Sequence, residues 1–308
     1  MNYIICGQMT PFMLKNEYID GSVPVMSGTA FCALTGVRLW TESVQPVAKA
    51  GNDFEGIFGE WLVRHGVPVS SVLCVEDERC ARMERKSGAG YSFSSGERAR
   101  LAKLEFDSGM ADGAAQYDDT KGIYAAAGQD IEFWRELYDI KSRKGPKIMW
   151  EYCEDQSKAA AKAALNHDIM TFTDMWSINI AEASRLFKIP QKNEEDIINE
   201  IIKLPAELTL LRAGKKGSYA ITPSGAALCE SVDIADTREN TGCGSVATGA
   251  AMYAFCEGYA PAMVAVMANV AAGYHAAQTG PIDHITTKVM KEAREKADEY
   301  YRKITGRI

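Results

Sequence analysis

Histidine is scarce in this chain, with four among 308 residues, and the eight cysteines (Cys6, Cys32, Cys74, Cys80, Cys153, Cys229, Cys243, Cys256) are scattered without one Cys-x-x-Cys pair. A zinc site therefore has little to be built from, and the thiols read as reduced groups of a cytoplasmic protein. No segment is apolar for the length that a bilayer span requires. The start, Met1-Asn2-Tyr3-Ile4-Ile5-Cys6-Gly7, enters a short apolar strand at once and lacks the basic region and long apolar stretch of a signal peptide. Excess positive charge is missing too. A formal net charge of -7 argues against a surface for nucleic acid or an anionic membrane, since both need clustered Lys and Arg. What remains is a globular chain, 46% hydrophobic, able to bury one large α/β core or two smaller domains around a small-molecule site.

The most informative stretch is Glu239-Asn240-Thr241-Gly242-Cys243-Gly244-Ser245, a glycine-rich turn running into a helix expected over Val246–Phe255. Gly242 and Gly244 allow a tight turn and remove the Cβ atoms that would hold a ligand away. Main-chain N–H groups and the positive end of the helix dipole then converge on one spot, which suits a phosphate. A plain strand-to-helix turn has the same short pattern, so other parts of the chain must decide.

Short apolar runs alternate with amphipathic helices, the pattern of a parallel sheet covered on both faces. Strands are expected at Tyr3–Cys6, Thr41–Val47, Lys147–Trp150, Ile169–Phe172, Leu208–Arg212 and Tyr219–Thr222. Helices are expected over Phe54–His65, ended by Gly66, and Ile131–Lys144, ended by Gly145-Pro146. The spacing predicts further helices over Ala260–Gln278 and Thr286–Lys303. From Glu78 to about Gly128 the pattern is broken by Ser87-Gly88-Ala89-Gly90 and Ser94-Ser95-Gly96, which suits either a small β-excursion or long loops.

Four motifs, in this order, resemble those of the ribokinase-like carbohydrate kinases, the PfkB family. Gly51-Asn52-Asp53-Phe54-Glu55-Gly56 is similar to the family's Gly-x-Asp-x-x-Gly. Asn179-Ile180-Ala181-Glu182, following Asp168-Ile169, resembles its Asn-x-x-Glu. Arg212-Ala213-Gly214-Lys215-Lys216-Gly217 resembles its Thr-x-Gly-x-x-Gly nucleotide loop, with Arg212 in place of Thr. Gly242-Cys243-Gly244-Ser245 aligns with its Gly-Ala-Gly-Asp anion hole. The resemblance implies a single ribokinase-like domain over 1–308, a three-layer α/β/α fold with a central, mostly parallel sheet. It also implies a small β-lid, from segments around 8–25 and 78–128, that pairs two subunits into a homodimer. ATP and Mg²⁺ are the implied cofactors. Asn179 and Glu182 would order metal and phosphate, Gly214, Gly217 and Arg212 would lie on the nucleotide side, and Gly51 and Asp53 on the acceptor side.

The chain departs from the pattern where the chemistry is decided. In these kinases the Asp ending the anion hole draws the proton from the acceptor hydroxyl; here the residue is Ser245, which is no base unaided. Glu239 could supply the acid, Cys243 could carry a lowered pKa at the helix start, or Ser245 could merely position the substrate. The sugar-gripping positions differ as well. Phe12 falls near an expected Asp, Gly21-Ser22-Val23-Pro24 and Ser27 replace a Gly-Gly and Asn, and Trp150-Glu151-Tyr152-Cys153-Glu154 replaces Asp-x-Asn-x-x-Arg. An ordinary hexose is therefore not expected.

Plainer roles stand beside these. Asp53 could cap the helix at Phe54, Asn179 and Glu182 could serve a helix's first turn, and Lys215 and Lys216 could be a solvated turn. His275, grouped with the nucleotide side, reads equally as a core or rim histidine. Two functions follow: an ATP-dependent phosphotransferase acting on a hydroxyl of a sugar-like or nucleoside-like molecule, or a catalytically inactive relative that keeps the cleft as a nucleotide or small-molecule sensor.

Overall fold

Runs such as Tyr3–Cys6 are buried on both faces, so they have no solvent side to alternate with and must lie inside a sheet covered by helices. The computed structural model describes residues 1–15, 22–85, 91–104, 119–126, 131–152 and 168–306. Its strands are β1 (Tyr3–Cys6), β2 (Phe12–Lys15), β3 (Ser22–Val25), β4 (Val44–Gly51), β5 (Val72–Val75), β6 (Glu84–Arg85), β7 (Tyr91–Ser92), β8 (Gly122–Ala125), β9 (Lys147–Glu151), β10 (Met175–Asn179), β11 (Leu208–Arg212), β12 (Ser218–Thr222) and β13 (Gly225–Cys229). The helices are α1 (Thr29–Arg38), α2 (Glu60–Arg64), α3 (Ser95–Lys103), α4 (Ile131–Lys144), α5 (Ile180–Phe187), α6 (Glu194–Ile202), α7 (Cys243–Cys256), α8 (Pro261–Ala276) and α9 (Thr287–Thr305).

Among the described residues the main sheet has nine strands in the order β13-β12-β11-β10-β9-β8-β1-β4-β5. All neighbours from β11 to β5 pair in parallel, and only β12 is reversed, pairing antiparallel with β11 and with β13. One face is covered by α1, α7, α8 and α9, the other by α4, α5 and α6. This is the three-layer α/β/α architecture. The α4 stripe of Phe133, Trp134, Leu137 and Ile140 is buried, each side chain contributing about 1.5–3 kcal/mol relative to exposure. Helix α7 is buried over most of its length. Its Gly249 lies against the Ala33 carbonyl of α1, which draws the two backbones together and fixes where α7 begins.

Two small sheets stand outside the main one: the β2–β3 hairpin and the β6–β7 pair, joined by a bridge between Phe12 and Met83. The stretch 78–128 is not all outside material, because β8 lies between β1 and β9 in the centre of the main sheet. Gly21 and Ser87–Gly90 lie outside the described residues.

Two strand expectations need correction. The strand expected at Thr41–Val47 starts only at Val44 and runs to Gly51, because Trp40 and Thr41 still bond the Val37 carbonyl at the end of α1. Residues 168–172 are helical, not a strand, with Thr171 Oγ1 donating to the Asp168 carbonyl at 2.7 Å. The strand is the next run, β10; a four-residue apolar run does not by itself distinguish the two. The Phe54–His65 helix forms as a π-turn over Glu55–Gly59 followed by α2, ended at Gly66 with φ +63°.

Candidate active site

The carboxyl ends of parallel strands are where open α/β sheets bind ligands, and here those ends carry the chemistry. Glu151 closes β9, Asn179 closes β10, and Arg212 closes β11. Opposite them, Gly242 caps α7 with φ +93°, a conformation suited to glycine. The loop does not turn into bulk solvent or into the core. It shares a cleft of about 820 Å³ with Asn179, Arg212, Gly214, Lys215 and Asn269, in which Cys243 and Gly244 form part of the wall.

Ser245, 7% exposed, donates a 3.0 Å hydrogen bond to Oε1 of Glu151, itself only 4% exposed. Arg212 Nη1 donates to the same oxygen at 2.9 Å, and the Tyr124 hydroxyl donates to Oε2 at 2.5 Å. Three donors thus converge on one carboxylate, the arrangement that an acceptor-only group requires when buried. Gly244 makes this possible, because a Cβ there would collide with Nη1 of Arg212. The loop is held from below by Thr248, which donates to the Gly244 carbonyl at 2.8 Å and meets Ser177 of β10 at 2.7 Å.

Asn179 and Glu182 form a capping box at the start of α5: Asn179 Oδ1 accepts from the Glu182 N–H at 2.9 Å, and Glu182 Oε2 accepts from the Asn179 N–H at 3.1 Å. The plainer role is therefore filled, and Asn179 also lines the cleft. Arg212 Nη2 stands 3.9 Å from Glu182 Oε2. Among the described residues no cluster of three or more His, Cys, Asp or Glu side chains could hold a metal ion.

Glu239 is engaged elsewhere: its Oε1 accepts from the N–H groups of Asn240 and Thr241 and from the Thr241 hydroxyl, which closes the turn. The acid that meets Ser245 is Glu151. Cys243 is the opposite of an activated thiolate, because burial, with the Glu239 carboxylate, pushes its thiol up to about 12. His275 is buried behind the loop, its Nε2 donating to the Thr241 carbonyl at 2.7 Å, so it holds the turn from outside the cleft wall. Gly217, at φ +103°, lies against the Cys229 carbonyl where β12 meets β13, beside the cleft-lining Glu230 but not itself a lining residue. Lys216 pairs with Glu194 at 2.5 Å.

On the acceptor side, Ser27 Oγ lies 3.9 Å from Cys32 Sγ, and Cys32 is the side chain against Gly242. Tyr124, which holds Glu151, also donates to the Thr29 carbonyl at 3.4 Å. The start of α1 thus abuts the 239–245 loop. Phe12 is buried beside Met83. Gly51 and Asp53 are covered by the 79–82 segment, and Asp53 does not cap its helix. Its carboxylate accepts from the Cys80 N–H at 2.7 Å and from Arg82 at 2.9 Å. Burial raises the Asp53 pKa, but these donors outweigh it and hold the group below the usual carboxylate range. Cys153 and Glu154 lie outside the described residues.

Sequence reasoning missed the contact of Glu151 with Ser245 and the place of Asn269 in the cleft. The signal for Glu151 was its place at the end of a parallel strand; Asn269, whose amide bonds Ser218, Cys229 and Ala265, had none.

No family model and no curated protein matches the sequence. Solved structures do match the fold. The chain is similar to Arabidopsis thaliana ribokinase complexed with ribose and ATP, with a TM-score of 0.75 and 16% identity, covering 96% of this chain and 98% of that one. It is similar to a Burkholderia thailandensis nucleoside kinase in complex with ADP-inosine, with a TM-score of 0.70 and 13% identity over 99% and 97% of the two chains. A Vibrio cholerae fructokinase in fructose-, ADP- and calcium-bound form gives a TM-score of 0.72 and 12% identity over 94% and 98%. The fold is that of the ribokinase-like kinases.

Proposed function

We propose that this protein is an ATP-dependent phosphotransferase acting on a hydroxyl of a small sugar-like or nucleoside-like molecule, with Glu151 as the proton acceptor and Ser245 as its link to the substrate. The observation that carries the reading is the 3.0 Å hydrogen bond from Ser245 to Glu151 beneath the anion loop. The usual acid is absent from the loop but present one strand away.

In this mechanism the amides at the start of α7 and the guanidinium of Arg212 hold the terminal phosphoryl group and stabilise its charge during transfer. The acceptor oxygen attacks phosphorus, and the bond between phosphorus and the bridging oxygen of ADP breaks. The acceptor's proton passes to Ser245 Oγ as the serine's own proton passes to Glu151 Oε1, and is then released to solvent. Catalysis rests mostly on positioning, with the base adding its share.

One observation favours the second reading, a nucleotide-binding protein without turnover. Asp53, the carboxylate expected to grip the acceptor, is engaged by Arg82 and the Cys80 N–H. An ADP-release screen over sugars, nucleosides and polyols separates the two. Acceptor-dependent release that is lost in Glu151→Gln supports the enzyme; nucleotide binding with no release for any acceptor supports the sensor.

A further inference from the structure

Ser177 lies opposite Glu151 in the parallel register of β10 and β9, and its carbonyl accepts from the residue after Glu151, the Tyr152 N–H, at 2.8 Å. Its hydroxyl meets Thr248 Oγ1 of α7 at 2.7 Å. Thr248 has a single hydroxyl proton and gives it to the Gly244 carbonyl at 2.8 Å, so within the pair Ser177 is the donor. Both side chains are fully buried. A helical threonine commonly bonds the carbonyl four residues back; what is added here is a second buried hydroxyl, from another strand, behind it. The Gly244 carbonyl belongs to the same peptide unit as the Ser245 N–H. That N–H precedes the first helical bond of α7, from the Val246 N–H to the Gly242 carbonyl at 3.0 Å, and so lies among the amides that a helix leaves for a ligand. Ser177 is therefore tied to both partners of the Ser245–Glu151 hydrogen bond, by its main chain on the β9 side and by the hydroxyl chain on the α7 side.

We infer that Ser177 and Thr248 are positioning residues, which aim the Ser245 N–H at the terminal phosphoryl group of ATP and keep the Ser245 hydroxyl on Glu151. The inference rests on the phosphotransferase reading given above. Hydrogen bonds in a chain polarise one another, so a donor on a peptide's carbonyl makes the N–H of that peptide a better donor, most of all where water is excluded. The same bond restrains the peptide plane, so the amide is aimed before the ligand arrives. Both side chains act from beneath, without touching the nucleotide.

Isothermal titration of the full chain with a non-hydrolysable ATP analogue in saturating Mg²⁺, beside urea unfolding, tests it. Thr248→Val keeps the side chain's shape and removes its hydroxyl. It should weaken binding of the analogue by roughly three- to tenfold, part of the worth of a hydrogen bond to a charged group. It should also lower the urea midpoint, because the Ser177 hydroxyl loses its buried acceptor. Adding Ser177→Ala removes that orphan, and should bring the midpoint back toward the parent's while binding stays weak. Thr248→Ser keeps the hydroxyl and should retain more of the binding than Thr248→Val. Should Thr248→Val fail to fold, the double variant carries the comparison. Binding that recovers together with stability in the double variant would reduce the pair to a structural role and overturn the inference, as would unaltered binding by a folded Thr248→Val. Either result leaves the proposed function standing, whereas no binding of the analogue by the parent would overturn both.

Discussion

Ser245 and Glu151 are 94 residues apart in sequence and 3.0 Å apart in space. The hydroxyl at the start of α7 and the carboxylate at the end of β9 form a pair that a loop motif alone does not contain. The contact places a carboxylate within one hydroxyl of the 239–245 loop, and the proposed phosphoryl transfer to an alcohol would need its base there.

Removing that acid should leave nucleotide binding and abolish most turnover. Glu151→Gln is expected to lower kcat by about 10²–10⁴-fold, the usual worth of general-base help. Ser245→Ala should lose less, since a water can bridge the gap. Steady-state ADP release with the best acceptor from the screen, beside ADP titrations, checks both.

Restoring the family's Asp should not help on its own. Ser245→Asp brings a second carboxylate against Glu151, and two unit charges about 4 Å apart repel by about 4 kcal/mol at an effective dielectric of about 20. Arg212 offsets this only in part. The variant should unfold at lower urea than the parent, and the double variant Ser245→Asp with Glu151→Gln should recover both stability and rate. A single Ser245→Asp that is both stable and faster would contradict the assignment.

Gly244→Ala probes the contact between the loop and Arg212. The added methyl pushes the guanidinium off the loop while leaving α7 a good helix former. ADP binding in calorimetry should weaken by roughly tenfold, and the thermal midpoint should fall as buried Glu151 loses a charged donor.

Acid should loosen the loop through His275. Burial holds this histidine below its ordinary pKa, although the Thr241 carbonyl and Glu239 pull the other way. The unfolded chain therefore takes up the proton first, and the stability that the neutral ring contributes is lost as pH falls below about 6.5. His65 shifts in the same direction, also through burial. Urea unfolding at several pH values should show stability falling by up to about 1.4 kcal/mol per pH unit for each such histidine, and His275→Gln should flatten its part. A parent profile with no fall between about pH 6.5 and pH 5 would contradict this.

The fold and the loop were legible because glycines at fixed spacing and apolar runs are local signals. Cys243, Gly244, Asn179 and Arg212 do share one cleft. Glu151 was quoted only as a departure from a motif, since its pairing crosses from β9 to α7 and no local pattern encodes it. Glu239, one of three alternatives that the sequence offers, lies near Ser245 in the chain, yet its carboxylate bonds its own turn. Helix α1 went unseen because nearly all of it is buried and its Gly28 cap has no side chain to announce it. Asp53 was read as a cap or ligand group, whereas Arg82 and the Cys80 N–H, both supplied by a segment with no clear pattern, take its oxygens.

The most direct measurement is a crystal structure of the protein soaked with a non-hydrolysable ATP analogue. The account predicts the terminal phosphate on the amides of Gly244 and Ser245, with a guanidinium nitrogen of Arg212 at hydrogen-bond distance and Ser245 Oγ still linked to Glu151. A nucleotide bound with its phosphates away from α7, or a Ser245 hydroxyl turned from Glu151 in the complex, would contradict it.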